Sequence, residues 1–482
     1  MSAKNKKIIL KKDNLIKKLA FWAIAIFVLK IFIIYNIGEI NFNLGNGQFI
    51  KINGKSLLKH AIDRVSGLNF DTITICSNSN FLDKIKEETK NINCKIYVEP
   101  DKKNTAPAIL AAINDDDLLF YQPIIIISSD HIIEKKLVFQ KQIKKLSKYL
   151  DMHKIFIFGV KPDYAETGYG YLHSKKINKN FNKVIKFVEK PNLKKAKKLI
   201  KNNNYLWNSG MFLSNKSALL NEFSILQTKL ALQVCDSYVN AKSTNNILAL
   251  DSKYYSKIKS ISFDHAILEK SKNIFSVKLL SDWKDVGSWL QKWEIEKKDK
   301  DKNYIKGNIL KSNVKNSYIS SNRTIVASNL KNILAVDNND VLYLSDLRNN
   351  DLKSLYPLIS KKFPKITDQH TTTQRPWGQF TNIFVGKNFQ VKELVVKSGG
   401  ILSLQKHKYR SENWVVVEGK ANVTLNKKNI ILQKTDSIFI PQGAVHRIQN
   451  REKSILKIIE VQTGSYLGED DIIRIKDIYG RA

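Results

Sequence analysis

The sequence predicts a mainly parallel α/β domain, then a short β-rich linker, then an all-β barrel or jelly roll. Three observations predict this order. From about residue 49 to 290, short apolar runs alternate with helical stretches, the pattern of a parallel sheet with helices on both faces. Residues 300–350 break into brief segments bounded by Asn and Ser. After Asp368 the chain is almost all short strands with turn signals, which fits an antiparallel barrel. At 482 residues there is room for two or three domains, each with its own core. The boundaries are set at 1–47 for an atypical basic and apolar segment, 48–295 for the α/β domain, 296–367 for the linker and 368–482 for the barrel.

In chain order, KKIIL (6–10) reads as the first strand. Further strands are expected at 71–77, 94–100, 123–130, 154–160 and 183–190, with helices at 55–67 and 194–202. YIKGNIL, NSYISS and TIVASN read as brief strands, and 352–365 as a helix stopped by Pro364. No repeat array is apparent.

The net charge is +36. It comes mainly from Lys spread along a chain also crowded with Ile and Asn, a composition that suggests a codon bias toward A and T. A nucleic-acid binder concentrates Lys and Arg on one motif or tail, so nucleic acid is not an expected partner. The basic field still favours phosphorylated substrates. Three cysteines without ligand-like spacing point to a reducing, cytoplasmic compartment. Residues 19–38 are apolar and long enough to span a bilayer. Lys30 near their middle would cost about 2.5–3.5 kcal/mol, and the basic leader before them would export everything after residue 38. A membrane-associated form through 19–38 is therefore the alternative localisation.

Four residues near the C-terminus carry the clearest chemistry. Gln405, His407 and Glu412 lie in SGGILSLQKHKYRSENWVVVEG (398–419), and His446 in PQGAVHRIQN (441–450). Residues two apart on a strand share a face, so Gln405 and His407 can enter one cavity. Glu412 and His446 complete a mixed N/O set for a divalent transition metal, with Zn, Mn, Co and Fe all compatible. Arg410 and Arg474 are candidates for a substrate phosphate, or surface arginines.

In the α/β region, Asp130 ends the apolar run PIIIISSD, where ligands of open α/β sheets bind. Asp285 in SDWKDVGSW is a second carboxylate, and the two suit Mg²⁺ and substrate phosphates. Glu189 and Lys190 in FVEKP, Asn208 in WNSGMF, Gly168 and Tyr169 in ETGYGY, and Asn104 in NTAPA supply further polar or close-approach positions. Singly, each is as readily a cap or a turn.

In this order and spacing the phrases of 49–290 resemble the nucleotidyltransferase domain, a Rossmann-like α/β fold, of mannose-1-phosphate guanylyltransferases. RPWG (375–378), LSLQKHKYRSENW, IPQGAVH, EVQTGSYLGEDDIIR and YGR resemble the cupin jelly roll of type II phosphomannose isomerases. One family of bifunctional enzymes joins the two, and the resemblance spans about 430 residues. It implies GDP-mannose and pyrophosphate from mannose 1-phosphate and GTP, and interconversion of mannose 6-phosphate and fructose 6-phosphate. It implies that Asp130 and Asp285 hold Mg²⁺, that Lys190 contacts the sugar phosphate, and that Glu189, Asn208, Gly168 and Tyr169 hold the mannose. GTP and the two sugar phosphates are the expected partners, with a homo-oligomer left open.

Two departures stand out. The family's Gly-Gly-x-Gly-x-Arg loop after the first strand is absent, and the match resumes at Gln48. Residues 11–47 read as a new segment, a decayed one or an out-of-frame stretch. The expectation is a poor guanylyltransferase, with a catalytically impaired sugar-nucleotide binding or regulatory protein as the alternative. Tyr409 and Asn413 stand where the family usually has His near the metal.

Overall fold

The computed structural model describes residues 29–34, 51–68, 70–337, 341–349, 355, 358–359, 361–363 and 372–477. The chain divides into two compact units, 1–304 and 305–482.

In the first unit an eleven-stranded sheet is built from short Ile- and Phe-rich runs. At its centre, Cys94–Glu99, Phe70–Asn78, Leu29–Ile34 and Pro123–Ser128 lie side by side and parallel. The Tyr205–Asn215 strand then enters antiparallel against Pro123–Ser128. Alternation splits each strand between two cores. Ile124 and Ile126 join one apolar cluster with the Thr105–Ile113 helix. Ile125 and Ile127 join the other with the Leu57–Val65 and Lys136–Ser147 helices. The Leu57–Val65 helix starts where Ser56 Oγ accepts from Lys59 N at 3.1 Å, an N-cap.

The position of the first strand corrects the sequence reading. KKIIL lies outside the described residues, and the central slot is filled by Leu29–Ile34, with Ile31 in register with Ile73 on one side and Ile125 on the other. Part of the expected membrane span is therefore a sheet strand. The physical reason is that a strand with parallel neighbours on both sides reads as a continuous apolar run, as a bilayer segment does. No helix of the described residues is long and apolar enough to cross a membrane.

The second unit begins with a feature the sequence reading missed. Ile309–Lys315 pairs in parallel with Ile325–Lys331, and Tyr318–Ser320 with Ile333–Asp337, each partner 16 residues on. This is a two-coil parallel β-helix. Asn313 and Asn329 hold positive φ at equivalent corners, as do Asn316 and Asn332. Asn313 Nδ2 donates to Asn329 Oδ1 at 2.8 Å along the stack. In sequence the coils share one near-identical stretch, SNVKN (312–316) and SNLKN (328–332), while most other equivalent positions differ. The helix expected at 352–365 lies largely outside the described residues.

The barrel follows as two antiparallel sheets. The six-stranded sheet is organised on the Phe389–Val396, Leu456–Gly464 and Arg410–Glu418 strands. The five-stranded sheet holds Leu404–His407 between His446–Gln449 and Ile472–Lys476. Trp377, Leu394, Val416, Val423, Ile448 and Ile458 belong to the core between the sheets.

Asn tolerates the left-handed conformation better than other side chains that carry a Cβ. Asn329→Ala is expected to destabilise the full chain by about 1 kcal/mol, and Asn329→Gly to recover most of that. Urea unfolding midpoints of the three proteins check it.

Candidate functional site

In the barrel, strand pairing assembles the predicted metal residues. Gln405 lies directly opposite His446 on one neighbour and opposite Arg474 on the other. His407, Glu412 and His446 are each at most 2 % exposed. Their candidate ligand atoms all lie within 4.8 Å of one another. Glu412 Oε1 is 3.0 Å from His407 Nε2, and Oε2 is 3.6 Å from His446 Nε2. His446 Nδ1 donates to the Ala444 carbonyl at 2.9 Å, which leaves Nε2 as a lone-pair donor without a partner. Fixing one imidazole nitrogen through the other is the usual way a metal-binding His is oriented. Gln405 stands beside His407, 3.5 Å between their Nε2 atoms, while its Oε1 accepts from Ser403.

The electrostatics fit a cation. Burial pushes the Glu412 carboxyl up, but the His407 hydrogen bond and the Arg410 charge outweigh it and hold the group well below the usual range. Burial lowers His446 despite the nearby Glu412 charge, favouring the neutral imidazole. An ionised carboxylate and a neutral imidazole are the forms that ligate.

Arg410 is 1 % exposed. Its Nη1 donates to the Gly468 carbonyl at 2.8 Å, and its Nε lies 3.4 Å from Glu412. Asp471 accepts from the Lys408 and Tyr409 amides. Arg474 keeps a buried Nε without a partner, so of the two arginines it is the one with a free donor at this strand position. Asn413 is exposed. Strand alternation turns it to the face opposite Glu412, so this departure from the family pattern falls outside the ligand cluster.

In the first unit Asp130, His131 and Asp285 form a second cluster of the same kind. Asp285 faces His131 across a short antiparallel pair, and Val286 N donates to the Asp130 carbonyl at 2.9 Å. Burial, then the Asp130 charge, raises Asp285 to about 8. Its Oδ1 is buried without a partner. Two close carboxylates, one keeping a buried oxygen without a partner, form a donor set for a hard cation. Beneath them Arg64, 2 % exposed, donates through Nη2 to the Ser128 and His131 carbonyls at 3.0 and 2.6 Å.

A row of aromatic rings runs from this cluster: His131, Trp283, Tyr169 and Trp207 meet edge to face at 5.2 to 5.4 Å. Tyr169 leads to the predicted sugar residues. Asn208 Nδ2 donates to Asp264 at 2.6 Å, and its Oδ1 accepts from Gly210 N at 3.0 Å. Burial, then the Asp264 charge, raises Glu189 to about 7. A Cβ at Gly170 would stand 2.7 Å from Glu189 Oε2 and from Phe187 Cζ, so a larger residue there would displace those side chains. Gly168 N donates to Glu166 at 2.7 Å. Lys190 holds a positive φ and keeps its ammonium exposed, 3.9 Å from Glu189.

Asn104 is set apart from this cluster. It caps the Thr105–Ile113 helix beyond the Cys94–Glu99 strand, three places along the sheet from Pro123–Ser128. Beside it is a residue the sequence reading did not single out. Glu99 ends that strand, accepts from the Tyr255 hydroxyl, and is raised by burial to about 7. Arg64, His131 and Asp264 were missed as well. Their roles come from contacts between distant segments, and only Glu99, the acidic end of an apolar strand, repeats the signal that identified Asp130.

Comparison with known proteins places both units. The family described as Nucleotidyl transferase matches residues 43–302, and that described as Mannose-6-phosphate isomerase C-terminal matches 363–477. The mannose-1-phosphate guanylyltransferase of Klebsiella pneumoniae is 34% identical over 452 residues, covering 90% of this chain and 94% of that protein. The xanthan biosynthesis protein XanB of Xanthomonas campestris is 33% identical over 440 residues, covering 90% and 94%. The crystal structure of a mannose-1-phosphate geranyltransferase from Thermus thermophilus aligns with a TM-score of 0.58 over 70% of this chain and 99% of that one. At 16% identity it speaks for the fold alone. The chain belongs to the bifunctional family that joins a mannose-1-phosphate guanylyltransferase domain to a mannose-6-phosphate isomerase domain.

Proposed function

We propose that the chain is a sugar-phosphate enzyme of GDP-mannose biosynthesis whose barrel isomerises mannose 6-phosphate and fructose 6-phosphate. The observation that carries this is the buried His407, Glu412 and His446 cluster, with its unpartnered imidazole nitrogen. These residues, with Gln405, would hold a divalent transition metal, which polarises the sugar carbonyl and stabilises negative charge on the enediol oxygens. Arg474, with its free buried donor, would take the phosphate. Arg410 is committed to Gly468 and Glu412 and would instead hold the pocket wall in place.

The first unit would join mannose 1-phosphate to GTP. The sugar-phosphate oxygen attacks the α-phosphorus in line, pyrophosphate leaves, and positioning and charge neutralisation carry most of the catalysis. Asp130 and Asp285 would hold Mg²⁺, which offsets phosphate charge. Glu189 and Asn208 would accept and donate to mannose hydroxyls. Lys190, exposed and close to Glu189, would meet the sugar phosphate. Glu99 would read the base, because guanine offers two donors, its N1–H and amino group, to one carboxylate.

Residues 35–47, directly after the central strand, contain no Gly-Gly-x-Gly-x-Arg loop. Loss of one donor to a reacting charge slows such reactions about 10²–10³-fold. GDP-mannose formation is therefore expected at least about 100-fold slower than by the Klebsiella pneumoniae relative assayed alongside. Equal rates would sink this part of the reading.

His407→Ala should remove bound metal and isomerase turnover together; elemental analysis and coupled fructose 6-phosphate formation read the two. Glu99 carries a raised folded pKa, so the stability from its neutral form is full below about pH 4.5 and lost as pH rises through about 7. Glu99→Gln should remove that loss: between pH 4.5 and 7 the melting temperature of the parent should fall relative to the variant.

A further inference from the structure

The barrel core contains more polar groups than metal ligation by four residues explains. On the inward face of three paired strands, Gln390 and Lys392 lie opposite Gln462 and Glu460, which lie opposite Glu412 and Trp414. All six are at most 7 % exposed. Such a block costs free energy unless its hydrogen bonds are made, and here they converge on two carboxylates, Glu412 and Glu460. Trp414 Nε1 lies 3.0 Å from Glu412 Oε2 and 3.0 Å from Glu460 Oε1. Gln462 Nε2 lies 2.8 Å from Glu412 Oε1 and 2.9 Å from Glu460 Oε2. Gln390 Nε2 donates to Gln462 Oε1, which fixes the amide the right way round. Each Glu412 oxygen thus takes one donor from behind and faces one imidazole in front.

We propose that Trp414 and Gln462, backed by Glu460, are positioning residues that fix the Glu412 carboxylate as a metal ligand. The proposal rests on the metal-centre reading and adds to it which groups set the geometry. The arrangement is a two-by-two block: two N–H donors each shared between two carboxylates, so rotation of Glu412 would break a bond at both oxygens. Without the block, Glu412 could turn toward Arg410, whose Nε is 3.4 Å away, and leave the imidazoles.

The test uses the full chain, Gln462→Met and Trp414→Phe, each of which deletes one donor. Each variant loaded with Co²⁺ should bind the ion 10–100-fold more weakly in chelator competition. Each should show a shifted visible Co²⁺ spectrum, the signature of altered ligand geometry, which a merely structural role would not move. Parent affinity and spectrum in Gln462→Met, the variant that keeps the core volume, overturn the proposal, including when the metal-free protein melts lower. A parent chain that takes up no Co²⁺ overturns the metal-centre reading and this proposal with it. A parent that loads normally beside unchanged variants overturns the proposal alone.

Discussion

Buried negative charge is the constraint that shapes both units. A carboxylate removed from water must be compensated by neighbours, neutralised by a proton, or supplied with an external cation. The chain uses these solutions in different places. In the barrel, His407, His446 and Arg410 surround Glu412 and hold it ionised, while neighbouring Glu460 is driven well up by burial and by that same charge. In the α/β unit, burial and a neighbouring carboxylate outweigh the partners of Asp285 and Glu189, which rise to about 8 and 7. The first pocket is set before anything binds. The second holds carboxylates that an external positive ion would compensate.

The clustering of the candidate metal ligands was legible because strand geometry is local. One intervening residue between Gln405 and His407 puts them on one face, and the fold needs to add only the neighbouring strands. Asp130 was legible for a similar reason, as the polar end of an apolar run. Arg410 was not: its sequence neighbours advertise a phosphate ligand, and only the turn at Gly468, 58 residues away, claims its guanidinium. Asp264 and Arg64 were invisible for the same reason, since each acts on a residue more than 50 positions distant.

Two errors have physical causes of their own. The coil repeat escaped notice because it is short: SNVKN (312–316) returns as SNLKN (328–332), but flanking positions differ, Lys311 against Ala327 and Ser317 against Ile333. The Leu29–Ile34 strand was read as part of a possible bilayer span because an apolar run is ambiguous between sheet and bilayer. Hydropathy alone does not separate them; Pro123–Ser128 and Phe70–Asn78, which flank Leu29–Ile34, do.

That central strand has a consequence for synthesis. Ribosomes release the chain from its start, so Leu29–Ile34 emerges well before either partner. It stays without its full set of neighbours until residue 128 has cleared the exit tunnel. Both edges of this apolar ribbon are open until residue 78 emerges, and one stays open to other nascent chains until residue 128. Holdase protection of the early nascent chain, more than the final stability of the sheet, would then govern how much protein a cell recovers.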